Sequence, residues 1–174
     1  MRRYAALLLL GGFSASSLML LSTRTVFARS DSTEQATIQA TDQQVSANRL
    51  VLSLRSRRVY LYRGQMLISS YPVAIGTAET PTPQGEFTVS KMVENPVWQS
   101  PWTGEVHEPG PDSALGLRWI EFASTEAGAF GFHGTPTVDS IGQAASNGCV
   151  RMYNEDVVAL FSQVTVGTPV LIQP

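Results

Sequence analysis

The chain has 174 residues, of which 43% are hydrophobic and 15% charged, and its formal net charge is −2 at pH 7. This length and apolar content predict one folded domain with additional terminal segments. Without the three arginines of the first 28 residues, 9 basic residues stand against 14 acidic ones. Such a mildly acidic chain lacks the basic surface that nucleic acid binding requires, so nucleic acid is excluded as an expected partner.

The first 28 residues have the pattern of an export signal. Arg2 and Arg3 precede an uncharged apolar run, Leu7 to Leu21, and Val26-Phe27-Ala28 fits a small-residue cleavage site. The run is short for a membrane span, which takes about 20 residues, and an uncleaved anchor is the alternative. We expect an exported protein of the periplasm or cell wall that contacts a membrane only through this segment.

Residues 29–48 (RSDSTEQATIQATDQQVSAN) are polar and contain one isoleucine and no aromatic residue. A segment of this composition buries too little apolar surface to offset the entropy of ordering, so it predicts a flexible linker. The linker could give the domain reach from a membrane or be leftover chain, and the sequence favours neither.

Residues 49–172 show short, closely spaced strand patterns that predict a single, mostly β domain, a sandwich or barrel with one or two short helices. Glycine and proline mark the turns, as at Arg63-Gly64-Gln65 and in the loop from Thr80 to Gly85. A helix is predicted from an N-cap at Asn154 to about Val164. The predicted strands are Leu50–Leu54, Arg57–Tyr62, Met66–Tyr71, Val73–Ile75, Glu86–Val89, Leu117–Ala123, Ala129–His133 and Val170–Ile172.

The segment from Asn95 to Ala114 has no periodicity and contains several prolines together with Trp98 and Trp102. Long irregular segments inside compact domains are usually functional, so we interpret this one as a lid or wall over a site. The tryptophans could contact a ligand, or they could only pin the loop to the core.

The stretch from Phe130 to Met152 (FGFHGTPTVDSIGQAASNGCVRM) contains Cys149, the only cysteine of the chain, and His133, one of two histidines. A lone thiol in an exported chain has no internal disulfide partner, so it is either buried and inert or kept free for chemistry. A thiol attacks as the thiolate, and a nearby imidazole or guanidinium lowers its pKa. His133 and Arg151 supply these groups. Alternation along Ala129–His133 places His133 on the strand face opposite Phe132.

Each of these residues also has an ordinary structural interpretation. Arg151 could form a surface ion pair with Glu155 or Asp156, and Ser146 could be a turn residue. A zinc site needs paired ligand spacing, which one cysteine and two histidines, one of them His107 in an irregular loop, do not provide.

Taken jointly, the residues resemble the signature of the L,D-transpeptidase (YkuD-type) family. The matching features are HGT at 133–135, the sixteen-residue spacing from His133 to Cys149, and S-x-G-C-V-R at 146–151. Gly76 with TPTPQGEF at 80–87, the segment 114–119 and GTPV at 167–170 resemble further family segments, although Ala114 stands where proline is usual. The likeness extends from Asn48 to Ile172.

This resemblance implies a catalytic domain that acts on the stem peptides of bacterial peptidoglycan. Cys149 would be the nucleophile and His133 the general base and then the acid, with the Gly134 carbonyl orienting the imidazole. Backbone amides near Gly148 and Cys149 would form the oxyanion hole, and no metal or organic cofactor is required. The residues that would shape the substrate pocket are Ser146, Asn147, Gly148 and Arg151.

Three functions remain open from the sequence. A transpeptidase would release D-Ala from a stem tetrapeptide through an acyl-thioester and pass the acyl group to an amine. An L,D-carboxypeptidase would hydrolyse the same thioester. A non-catalytic wall-binding module would need no free thiol. The acceptor, the diamino acid of the stem and the oligomeric state are not determined.

Overall fold

The computed structural model describes residues 47–100, 103–126 and 128–174. The predicted signal segment, nearly all of the predicted linker and Trp102 therefore lie outside the described residues. Within the described residues, no helix has the length and apolar character that crossing a bilayer requires. The strands are β1 (Asn48–Ser53), β2 (Arg58–Arg63), β3 (Met66–Pro72), β4 (Ile75–Gly76), β5 (Gly85–Thr88), β6 (Lys91–Glu94), β7 (Trp98–Gln99), β8 (Val106–His107), β9 (Arg118–Thr125), β10 (Gly128–Gly134), β11 (Ala144–Ser146), β12 (Val150–Met152) and β13 (Pro169–Gln173).

Two main sheets and one helix, α1 (Asn154–Phe161), enclose the core. The first sheet has the order β3-β2-β1-β13-β5, and the second has the order β12-β10-β9-β6. Two small pairs, β4 with β11 and β7 with β8, lie beside them. The expectation of a mostly β domain with one or two short helices is confirmed, since α1 and a 3-10 turn at Val138–Ser140 are the helical elements of the described residues.

Inward-facing side chains of both sheets and of α1 form one hydrophobic core. Phe122 of β9 joins the sheets, because its ring centroid lies 5.6 Å from that of Phe87 in β5 and 5.2 Å from that of Phe132 in β10. Full burial of such side chains contributes roughly 1.5–3 kcal/mol each. The predicted strands β1 and β2 place four fully buried side chains in this core: Leu50, Leu52, Val59 and Leu61.

Several short strands were not predicted from the sequence: β6, β7, β8, β11 and β12. Each has two to four residues, too few for an alternation pattern. The segment after Cys149 was expected to lead directly into the helix, whereas β12 comes between. The predicted strand Val73–Ile75 is reduced to Ile75–Gly76, and Ala74 forms an isolated bridge to Arg151.

The predicted N-cap at Asn154 is wrong. Tyr153 holds the N-cap position with ψ 148°, and Asn154 is the first helical residue. The Asn154 side chain turns to another element instead: its Oδ1 accepts a hydrogen bond from Leu117 N–H over 3.0 Å, and its Nδ2 donates to the Pro111 carbonyl over 3.1 Å. The helix therefore begins without a side-chain cap, and Asn154 ties it to the segment that precedes β9.

Candidate active site

The parallel pairing of β10 with β12 brings the histidine and the cysteine to neighbouring strands. The register opposes Phe132 to Val150 and His133 to Arg151, and Cys149 is the residue directly before β12. Neighbouring strands lie about 4.8 Å apart, and side chains alternate between the two faces of a sheet. Cys149 and Arg151 therefore share a face with His133, while Phe132 and Val150 point into the core, where both are fully buried.

These side chains line a cavity of about 600 Å³. Of the seven residues that the sequence predicted to be catalytic or substrate-binding, five line it and two, Gly134 and Gly148, do not. The cavity is lined by Trp98, Gln99, Ala114, Leu115, Trp119, Gly128, Ala129, His133, Ser146, Asn147, Cys149 and Arg151.

His133 is held in one orientation by its own backbone neighbour. Its Nδ1 lies 2.6 Å from the Gly134 carbonyl oxygen, which can only accept, so Nδ1 carries the proton and Nε2 keeps its lone pair. His133 is 5% exposed. Burial lowers its pKa to about 4; the hydrogen bond to Gly134 opposes this shift, and the Arg151 charge adds to it. The imidazole is therefore neutral at physiological pH.

Cys149 is half-buried and its thiol is free. Burial raises the pKa of the thiol, while a hydrogen bond from the Gly131 backbone and the positive charge of Arg151 oppose the rise. The thiol also lies 3.6 Å from the Ala129 carbonyl oxygen. Cys149 is thus a neutral thiol at rest, next to groups that favour its ionised form.

The turn before Cys149 is fixed by its own hydrogen bonds. Ser146 Oγ donates to the Cys149 carbonyl over 2.5 Å and accepts from Gly148 N–H over 3.1 Å. Gly148 has φ +105°, a conformation that favours glycine. Because the Gly148 amide already has a partner, the Cys149 amide is the better candidate for an oxyanion donor at this turn.

The described part of segment 95–114 contains two short strands that its sequence did not indicate, since β7 and β8 pair in an antiparallel manner. Trp98 lines the cavity, and its ring centroid lies 4.9 Å from that of His107. His107 Nε2 lies 3.7 Å from Glu105 Oε2. No group of three or more His, Cys, Asp and Glu side chains lies close enough to hold a metal ion in the part of the chain that the structure describes.

Trp119 lines the cavity, although no pattern in the sequence predicts a role for it. It lies directly opposite His133 in the pairing of β9 with β10, with ring centroids 5.9 Å apart, and it is 9% exposed. Its Nε1 donates to Glu121 Oε2 over 3.3 Å. Only the register between two strands reveals this contact, and no local pattern in the sequence specifies that register.

Fold and cavity together define a mostly β domain in which a free thiol and a buried neutral imidazole line one cavity at the end of a parallel strand pair. A family model described as the L,D-transpeptidase catalytic domain, YkuD, matches residues 47–172. The chain belongs to this family, as its sequence predicted.

Relatives and solved structures agree with this placement. YqjB of Bacillus subtilis, named as an L,D-transpeptidase, is 37% identical over 125 residues, which are 71% of this chain and 69% of that protein. YcfS of Escherichia coli, with the same kind of name, is 33% identical over 136 residues, 70% of this chain but only 42% of that protein.

Two solved structures share the fold. The catalytic domain of an E. faecium L,D-transpeptidase superposes with a TM-score of 0.57 at 22% identity and covers 73% of this chain and 97% of that one. The L,D-transpeptidase LdtMt1 in complex with imipenem gives a TM-score of 0.57 at 25% identity and covers 72% of this chain and 58% of that one.

Proposed function

We propose that this chain is a cysteine-dependent L,D-transpeptidase that acts on peptidoglycan stem tetrapeptides through an acyl-thioester. The observation that supports the proposal is the shared cavity of Cys149, His133 and Arg151, in which the bond from His133 Nδ1 to Gly134 leaves Nε2 as a base. Family membership supports the reaction class, and the chemistry assigned to individual residues is our inference.

The proposed reaction has two steps. His133 Nε2 takes the thiol proton of Cys149 as sulfur attacks the carbonyl carbon of the third stem residue, and the Cys149 amide donates to the resulting oxyanion. The carbon–nitrogen bond to D-Ala breaks, and the imidazolium returns the proton to the leaving amine. An amine from a second stem then attacks the thioester, gives a proton to His133 and releases the thiolate, which recovers its proton from the imidazolium.

Arg151 has the charge and the position to hold the terminal carboxylate of the donor peptide. Its guanidinium takes part in neither of the close contacts between acidic and basic side chains found among the described residues, Glu105–His107 and Glu94–Arg118. Ser146 and Asn147 line the same cavity and complete the proposed donor pocket, with Gly148 providing the left-handed backbone conformation of the turn beside them.

We also propose that residues 1–28 export the domain to the periplasm or cell wall and that residues 29–48 serve as a linker. Cell fractionation followed by N-terminal sequencing tests this. A mature protein that begins near position 29 is expected, and a protein that stays in the cytoplasm with its first residues intact would overturn the proposal.

Incubation of the reduced protein with a disaccharide tetrapeptide tests the reaction. We expect release of D-Ala together with a cross-linked dimer, and a loss of at least about 10³-fold in Cys149→Ala. The ratio of dimer to free tripeptide separates transfer from hydrolysis, so tripeptide alone would identify an L,D-carboxypeptidase. No D-Ala release by the wild type, or equal release by Cys149→Ala, would contradict the proposed mechanism.

A further inference from the structure

Thr82, in the loop between β4 and β5, lies beneath the turn that carries Cys149. Thr82 is 3% exposed. Gly76 N–H donates to its Oγ1 over 2.9 Å, and the same hydroxyl donates to the Gly148 carbonyl over 2.9 Å. A hydroxyl can accept a hydrogen bond while it donates its single hydrogen. The Thr82 hydroxyl therefore accepts from the Gly76 amide and donates to the Gly148 carbonyl at the same time. Thr82 therefore links β4 to the nucleophile turn.

The two glycines joined by Thr82 are fixed by close packing. A Cβ at Gly76 would collide with the Thr80 carbonyl and lie 2.6 Å from Thr82 N, and a Cβ at Gly148 would lie 2.5 Å from the Phe130 ring. Neither glycine could carry a side chain without displacing its neighbours. Loss of the Thr82 hydroxyl would leave a buried amide and a buried carbonyl unpaired, which is costly.

The Gly148 carbonyl and the Cys149 N–H belong to one peptide unit. That unit is planar and trans, so its C=O and its N–H point in opposite directions. Holding the carbonyl on Thr82 consequently sets the direction of the Cys149 amide. A second link, from Thr80 Oγ1 to the Ser146 carbonyl over 3.1 Å, holds the start of the same turn.

We propose that Thr82 is a positioning residue for acyl transfer, which aims the Cys149 amide at the oxyanion by anchoring the Gly148 carbonyl. This inference rests on the proposed function, because an oxyanion forms only if Cys149 attacks a carbonyl carbon. Thr82 does not line the cavity, and it acts through the peptide unit between Gly148 and Cys149.

Two reagents that modify the same sulfur provide the test. Imipenem acylates a thiol through an oxyanion, whereas iodoacetamide alkylates it by displacement at a saturated carbon without one. In the full chain, Thr82→Val should slow acylation of Cys149 by about 10- to 100-fold, because the oxyanion donor is misaligned. Alkylation should stay within about twofold of the wild type, since it uses no such donor.

Thr82→Ser keeps the hydroxyl and should restore acylation, and Thr88→Val on the exposed face of β5 is the matched control. If Thr82→Val does not fold, Thr82→Ala removes the hydroxyl without adding a methyl group against the glycines. Unchanged acylation in the folded variant, or an equal loss in both reactions, would overturn the inference and leave the proposed function standing. A wild type that neither reacts with imipenem nor releases D-Ala would refute both.

Discussion

At the scale of single residues, burial acts on the thiol and the imidazole in opposite directions. It raises the pKa of Cys149 and lowers that of His133, so both groups favour their neutral forms at rest. A resting thiolate–imidazolium pair would require a lowered pKa of Cys149 and a raised pKa of His133. We therefore expect the thiol proton to move to His133 only when substrate is bound. The sulfur then bonds to the carbonyl carbon, and the negative charge passes to the carbonyl oxygen.

This resting state predicts the pH dependence of both reactivity and turnover. His133 has to be unprotonated to act as a base, and a pKa of about 4 keeps it so down to that pH; the acid limb of kcat/KM should therefore lie near pH 4. The alkylation rate of Cys149 should instead rise with pH through the raised pKa of the thiol, above the ordinary value of about 8.5. Both profiles can be measured on the wild type.

Cys149→Ala is the control for alkylation, because the chain has no other cysteine. A rapid alkylation rate that stays level between pH 5 and pH 8 would reveal a preformed thiolate. That result would contradict the neutral pair. An acid limb of kcat/KM near the ordinary histidine pKa of about 6.5 would show that His133 is solvated in the free enzyme and would contradict its buried, neutral state.

At the scale of elements, Asn154 connects three parts of the molecule behind the cavity. It begins α1, binds the segment before β9 through Leu117 and Pro111, and lies against the end of β10. A Cβ at Gly116 or Gly134 would collide with its Oδ1, so glycine at both positions leaves room for the side chain. The carbonyl that orients His133 belongs to Gly134, and Asn154 therefore supports the histidine from behind.

Asn154→Asp distinguishes this role from that of a helix cap. Aspartate caps a helix about as well as asparagine, so a capping role predicts almost no loss of stability. As a tether, Asn154 donates to the Pro111 carbonyl, and aspartate would replace that donor with a negative oxygen. We expect Asn154→Asp to lower the free energy of unfolding by about 1–2 kcal/mol, close to the effect of Asn154→Ala.

Urea denaturation measures this difference, and Glu155→Gln on the exposed face of the same turn is the control, with an expected change within about 0.5 kcal/mol. A stability of Asn154→Asp equal to that of the wild type would show that capping dominates and that the tether contributes little.

At the scale of the whole molecule, the sequence predicted what short-range patterns encode. Short apolar runs between turn residues located β1, β2, β3, β5, β9, β10 and β13, and alternation along β10 predicted that Phe132 and His133 lie on opposite faces. Phe132 lies in the core and His133 lines the cavity. The missed strands β11 and β12 depend on pairing with distant segments: Ala144 of β11 pairs with Ile75, and Val150 of β12 with Phe132. Thr82 and Trp119 have roles set by these pairings, which local sequence does not encode.

The same long-range pairing makes the last strand central to the fold. β13 lies between β1, which it pairs in parallel, and β5, which it pairs antiparallel, so the two ends of the domain meet in one sheet. Ile172 is 2% exposed in the core. Ile172→Ala should therefore lower the free energy of unfolding by about 2–5 kcal/mol, through lost burial and the cavity that remains.

β5 follows directly after the loop that contains Thr82, so the first sheet is connected to the nucleophile turn. We expect one cooperative urea transition for Ile172→Ala, with tryptophan fluorescence and far-ultraviolet circular dichroism coinciding, and unchanged acylation of Cys149 in the folded population. Gln173→Ala, at an exposed position of β13, is the control and should change stability by less than about 0.5 kcal/mol. Two separate transitions would show that the first sheet opens independently of the strands that carry the cysteine and the histidine.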